Sequence, residues 1–95
     1  MRLAGKTALV TGGGTGIGWG VARALAAEGC RVAITGRREQ PLREAAASWQ
    51  GSNAIEVQTV DVADRESCRQ LFAWAEKTLG PLDILINSAR TNIQK

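Results

Sequence analysis

The sequence has no histidine and no tyrosine. Those two absences remove the commonest general base and the phenolic acid from any catalytic scheme built on these residues. Cysteine is scarce: Cys30 and Cys68 lie far apart, with no Cys-x-x-Cys spacing. A disulfide framework and a zinc site are therefore not expected, and no metal ligands are assigned. Two reduced, partly buried thiols in a cytoplasmic protein are expected instead. No apolar run approaches the ~20 residues of a membrane-spanning helix. The opening Met1-Arg2-Leu3-Ala4-Gly5-Lys6 enters a strand too soon for a signal peptide. Charge is not concentrated either. The net charge is +3 and only Arg37 and Arg38 are adjacent bases, so no basic stripe for nucleic acid is present.

Glycine is what the chain has in quantity. It is densest in Thr11-Gly12-Gly13-Gly14-Thr15-Gly16-Ile17-Gly18. Before this run stands the short apolar Thr7-Ala8-Leu9-Val10. After it, Ile17, Val21 and Leu25 recur every fourth residue and predict one apolar helical face. A glycine-rich turn between strand and helix aims several backbone N–H groups at one point. The helix dipole adds about half a positive charge there. The expected ligand is a phosphate or pyrophosphate.

The 95 residues suit a single small domain. Strand and helix patterns alternate along it: strands at about 7–11, 31–35, 54–60 and 83–87, and helices at about 16–28, 39–50 and 65–79. Gly29 and Gly80-Pro81 are the expected helix stops, and Asp64 is an N-cap. The second helix packs Leu42, Ala45, Ala46 and Trp49; the third packs Cys68, Leu71, Phe72, Ala75 and Leu79. Trp19, Trp49 and Trp74 are placed on helices beside apolar faces, as core cover or subunit contact. This β-α-β-α-β-α-β series predicts an α/β fold, a doubly wound parallel sheet of strand order 3-2-1-4. Its ligand crevice lies at the carboxyl ends of strands one and four, where the glycine turn and the segment after Asn87 meet.

The glycine spacing is Gly12-x-x-x-Gly16-x-Gly18 after Thr11, wider than the Gly-x-Gly-x-x-Gly fingerprint. Gly12 suits a tight turn, Gly16 a close approach of backbone to pyrophosphate, and Gly18 close packing of helix on strand. With Asp61-Val62 after strand three and Leu82-Asp83-Ile84-Leu85-Ile86-Asn87-x-Ala89, the chain resembles the N-terminal, Rossmann-type part of a short-chain dehydrogenase/reductase over essentially all its length. The resemblance implies a partial dinucleotide-binding domain over residues 1–95. It implies cofactor contacts at Gly12, Thr15, Gly16, Ile17, Gly18, Arg37, Arg38, Asp61, Val62, Asn87 and Ala89. In the family, Asp61 would accept from the adenine amino group, with Val62 against the ring; a local strand-end or capping carboxylate is the equal alternative. Asn87 would contact the adenosine ribose, and the Thr11 hydroxyl would tie strand one to Ala89.

The end of strand two bears on the cofactor. An acid there accepts from the ribose 2′-OH of NAD, whereas an arginine accommodates the NADP 2′-phosphate. This chain has Gly36-Arg37-Arg38, so NADP is expected over NAD. Two departures from the family pattern follow. Arg90 replaces the glycine of Asn-Asn-Ala-Gly, and would pair with cofactor phosphate, point to solvent or obstruct the site. The sequence also stops at Lys95, before the family's catalytic Ser and Tyr-x-x-x-Lys. The whole family's activity is hydride transfer between a nicotinamide and a carbonyl or alcohol. For these residues no catalytic group is assigned, and the alternative is an inactive homologue that binds nucleotide weakly or acts through a partner. Truncation after strand four would leave an apolar sheet edge and a marginal, self-associating fold.

Overall fold

The computed structural model describes residues 3–12, 14, 16–51, 53–61 and 63–88. The order is β1 (Thr7–Thr11), α1 (Gly16–Ala27), β2 (Arg31–Gly36), α2 (Glu39–Ser48), β3 (Ile55–Thr59), α3 (Arg65–Leu79) and β4 (Ile84–Asn87). All strands are parallel, in the order β3-β2-β1-β4. The expected doubly wound α/β topology is what the chain adopts. No described helix is long and apolar enough to cross a membrane.

Every residue of β1 is buried, because helices cover both faces of the sheet. Ala8, Val10, Val32 and Ile34 point to one face and form a core with Ala22 and Ala26 of α1 and Leu42 and Ala45 of α2. Leu9 and Ala33 point to the other and pack on Leu71, Ala75 and Leu79 of α3. Full burial of a side chain such as Ile34 or Leu42 stabilises by roughly 1.5–3 kcal/mol.

The face of α1 differs from expectation by one position. Gly18, Ala22 and Ala26 are buried, whereas Ile17 is 83% exposed and Val21 and Leu25 are half-buried. The helix lies so close to the sheet that only small residues fit beneath it, and the larger ones flank the contact. Phe72 is likewise 41% exposed, one position off the buried Leu71–Ala75–Leu79 line of α3.

Local interactions set both ends of α3 and the end of α2. Asp64 accepts from the Glu66 N–H at the start of α3, and Gly80 ends that helix at φ 90°. Arg31 donates to the Leu79 and Thr78 carbonyls at 3.1 and 3.0 Å, supplying partners and positive charge at the carboxyl end of α3. α2 stops at Ser48, short of the expected Gln50, because Trp49 turns extended. Its indole N–H donates to the Asn53 carbonyl at 2.7 Å, while Asn53 Nδ2 donates to the Cys30 carbonyl at 2.7 Å. Trp49 thus belongs to the loop after α2, although it covers the core as expected. Cys30 is buried, and burial, with Asp83 adding negative charge, pushes its thiol pKa up.

β4 starts at Ile84 because Asp83 turns to β1: its carboxylate accepts from the Thr7 N–H at 3.0 Å. Among the described residues β4 is a sheet edge, with Leu85 53% exposed on it.

Candidate functional site

Strand register brings the site together. Thr11 is level with Thr35 on one side and Asn87 on the other, and Gly36 is level with Thr59. The four strands therefore end together, and the turns that follow them crowd one edge of the sheet.

At the centre, Gly12 turns out of β1 at φ +68° and Gly16 opens α1 at φ +58°, a conformation L side chains rarely adopt. A Cβ on Gly16 would meet nothing within 4 Å, so backbone is open to a ligand there. Gly18 is the opposite case: a Cβ would lie 2.1 Å from the Gly12 carbonyl oxygen and 2.5 Å from Ser88 Oγ. The first turn of α1 holds no acid, so nothing in it neutralises the positive helix end. Ile17 stands exposed in that turn. Thr15, Val62, Ala89 and Arg90 fall outside the described residues.

Ser88 joins the end of β4 to the glycine turn. Its N–H and hydroxyl both donate to the Thr11 carbonyl, at 3.1 and 2.6 Å, and Gly12 O lies 3.4 Å from the same hydroxyl. Thr11 Oγ1 donates to Asn87 Oδ1 at 2.9 Å and lies 3.4 Å from the Ile86 carbonyl. The expected tie from the Thr11 hydroxyl to Ala89 lies outside the described residues; among those described, this hydroxyl bonds Asn87, the last residue of β4.

A cavity of about 370 Å³ opens between Gly12, Gly14, Gly36, Arg37, Arg38 and the α2 residues Pro41 and Leu42. Leu42 forms its floor: a Cβ on Gly14 or Gly36 would stand 3.1 or 3.4 Å from Leu42 Cδ2. Arg37 and Arg38 are exposed and ion-pair with no carboxylate among the described residues. Glu39, the nearest acid in sequence, is engaged by Arg43 within α2. Two uncompensated guanidinium groups therefore border a cavity with no acid on its wall, a setting suited to phosphate. Thr35 lines the same cavity, and its fully buried hydroxyl has no partner among the described residues.

A second cavity of about 310 Å³ lies between Arg37, Thr59, Val60, Asp61 and Ser67. Asp61 Oδ1 accepts from the Ala63 N–H at 3.0 Å. The local capping role considered for this carboxylate is therefore real, and it uses one oxygen only. Pro41, Leu42, Ser67 and Ser88 were not expected at the site; Leu42 was placed only on the apolar face of the second helix. No motif marks them; only the register of the strand ends and the turns after them does.

The short chain dehydrogenase family model matches residues 6–95. A short chain dehydrogenase of Pseudocercospora fijiensis is 40% identical over 93% of the chain. An NADP-dependent (R)-specific alcohol dehydrogenase of Lentilactobacillus kefiri is 37% identical over 99% of it. A crystal structure of a Bacillus anthracis short chain dehydrogenase superposes with TM-score 0.86 over 95% of the chain at 35% identity. The chain belongs to the short chain dehydrogenase family. It spans 29% and 37% of the length of those two relatives and 36% of the solved chain, in each case a minor share.

Proposed function

We propose that this chain is the NAD(P)-binding N-terminal part of a short-chain oxidoreductase, with NADP preferred over NAD. The observation that carries the preference is the pair Arg37 and Arg38, unpaired beside a cavity whose wall at Gly36 has no side chain. The backbone left open at Gly16, with its positive φ, suits close approach of a pyrophosphate. In this reading Gly12, Thr15, Gly16 and Ile17 hold the pyrophosphate, and Gly18 serves the site by letting α1 pack close to the end of β1. Arg37 and Arg38 hold the 2′-phosphate. Asp61 and Val62 hold the adenine, Asn87 contacts the adenosine ribose, and Ala89 takes part beside it. Hydride donation or acceptance is the chemistry such a dinucleotide supplies when bound. The NADP dependence in the name of the Lentilactobacillus relative agrees with this preference.

The 95 residues contain no Tyr, so the acid that the family resemblance calls for is not among them. In this reading these residues contribute the cofactor-binding part of the family's chemistry. Self-association of this chain through the β4 edge is supported by the exposure of Leu85. Cys30 and Cys68 form no disulfide among the described residues, which supports a reducing, cytoplasmic setting.

Titration of the chain with NADPH and NADH tests the reading. Arg37→Asp should weaken NADPH by about 10- to 100-fold, the worth of one charge-assisted contact of roughly 1.5–3 kcal/mol, with NADH changed by less than about threefold. Equal losses for both would remove Arg37 from the 2′-phosphate. Failure of the unmodified chain to bind either would refute the proposal.

A further inference from the structure

The cavity between the glycine turn and the start of α2 has charge but little fixed shape. Arg37 and Arg38 are exposed. Neither side chain makes a hydrogen bond or an ion pair among the described residues. Arg37 also lines the neighbouring cavity, so it borders open space on two sides. Gly12 and Gly14 on one wall, and Gly36 on the other, carry no side chain that would exclude a ligand group. Thr35 is the polar side chain of the lining that the sheet holds rigidly, and it is fully buried, with no accessible atom. At about 370 Å³ the cavity is several times larger than one phosphate group.

Selecting one position of a phosphate on a sugar needs donors whose rotamers are locked by packing or by further hydrogen bonds. Two exposed guanidinium groups on long, rotatable stems attract a phosphate without that locking. The 2′- and 3′-oxygens of a ribose sit on adjacent carbons, on one face of the ring. Moving the phosphate from one to the other moves its charge by less than the length of an arginine side chain. The glycine walls leave room for both placements.

We propose that this cavity accepts a ribose phosphate at the 2′- or the 3′-position alike, so that adenosine 3′,5′-bisphosphate esters, the class to which coenzyme A belongs, are a second ligand class competing with NADP(H). The assignment rests on the dinucleotide-binding reading above, with the 5′-phosphate at the glycine turn. It extends that reading from one cofactor to two kinds of phosphorylated adenosine.

Binding titrations of the full chain with adenosine 2′,5′-bisphosphate, adenosine 3′,5′-bisphosphate and adenosine 5′-monophosphate test this, together with displacement of NADPH by coenzyme A. Both bisphosphates should bind at least about tenfold more tightly than the monophosphate, the effect of one charge-assisted contact, and within about fivefold of each other. Coenzyme A should displace NADPH competitively. The double variant Arg37→Ala/Arg38→Ala should lose the advantage of both bisphosphates. A preference for the 2′-isomer of more than about fivefold would overturn the inference and leave the NADP preference standing. Displacement that is not competitive, or a 3′-isomer advantage that survives in the double variant, would overturn it as well, because the ligand would then sit elsewhere. If neither bisphosphate outbinds the monophosphate, the inference and the NADP preference both fall.

Discussion

Two glycines of α1, two residues apart, should respond to alanine with opposite signs. At position 18 the new Cβ would lie 2.1 Å from the Gly12 carbonyl oxygen, 2.9 Å from its carbon and 2.5 Å from Ser88 Oγ. The serine can rotate away only by giving up its bond to the Thr11 carbonyl. The Gly12 carbonyl is main chain and moves only if the end of β1 moves. Overpacking of this kind costs about 3 kcal/mol, and the gain of alanine over glycine in a helix, about 1 kcal/mol, offsets part of it. A net loss near 2 kcal/mol lowers Tm by roughly 8–16 °C in a domain of this size. At position 20 the nearest atom to a Cβ is Arg23 Nη2 at 4.0 Å, so only the helix gain remains and Tm should rise by roughly 4–8 °C. Gly18→Ala should also weaken NADPH and NADH alike, because it displaces Gly12. Thermal unfolding followed by circular dichroism, with both titrations, provides the check. Shifts of the same sign for the two variants would refute the close-packing argument.

Two further outcomes follow. The raised Cys30 pKa, from burial and then Asp83, means the native state keeps its proton after the unfolded chain has lost it. Stability from this source is complete below about pH 8.5, the ordinary thiol value, and declines as pH rises through the higher native value. Denaturant unfolding at about pH 7 and about pH 9.5 should therefore show a smaller loss in Cys30→Ala than in the unmodified chain; identical losses would show that this thiol does not contribute. Leu85→Lys, on the exposed edge of β4, should shift sedimentation towards monomer, and an unmodified chain that is already monomeric at high concentration would dismiss edge-to-edge association.

The alternation of apolar strands with capped helices carried the topology, since each element declared itself through its own period and stops. Gly12, Gly16 and Gly18 were legible for the same reason: spacing limits what else such glycines can do. What the sequence concealed was depth. Ile17, Val21 and Leu25 have the stronger apolar signal, yet Gly18, Ala22 and Ala26 face the sheet, because proximity, which periodicity does not encode, selects small residues. Phe72 failed for a related reason, its neighbour Leu71 taking the buried line. Asp61 was readable as a residue of interest, but the commitment of one of its carboxylate oxygens to the Ala63 N–H depends on the folded turn. Leu42 as a cavity floor depends on how α2 lies against Gly14 and Gly36.

The Ser88 contacts have a consequence for the order of assembly. Ser88 Oγ reaches the Thr11 carbonyl across 77 positions of chain, and Thr11 Oγ1 reaches Asn87 across 76. Closing so long a loop is paid in entropy before the contact returns anything, and topologies rich in such contacts fold slowly. The glycine turn is encoded near the start of the chain but gains these anchors only when β4 arrives. During synthesis, the proposed nucleotide capture should therefore lag the emergence of residues 12–18 and coincide with that of residues 84–88, so that capture would signal closure of the sheet in its native order.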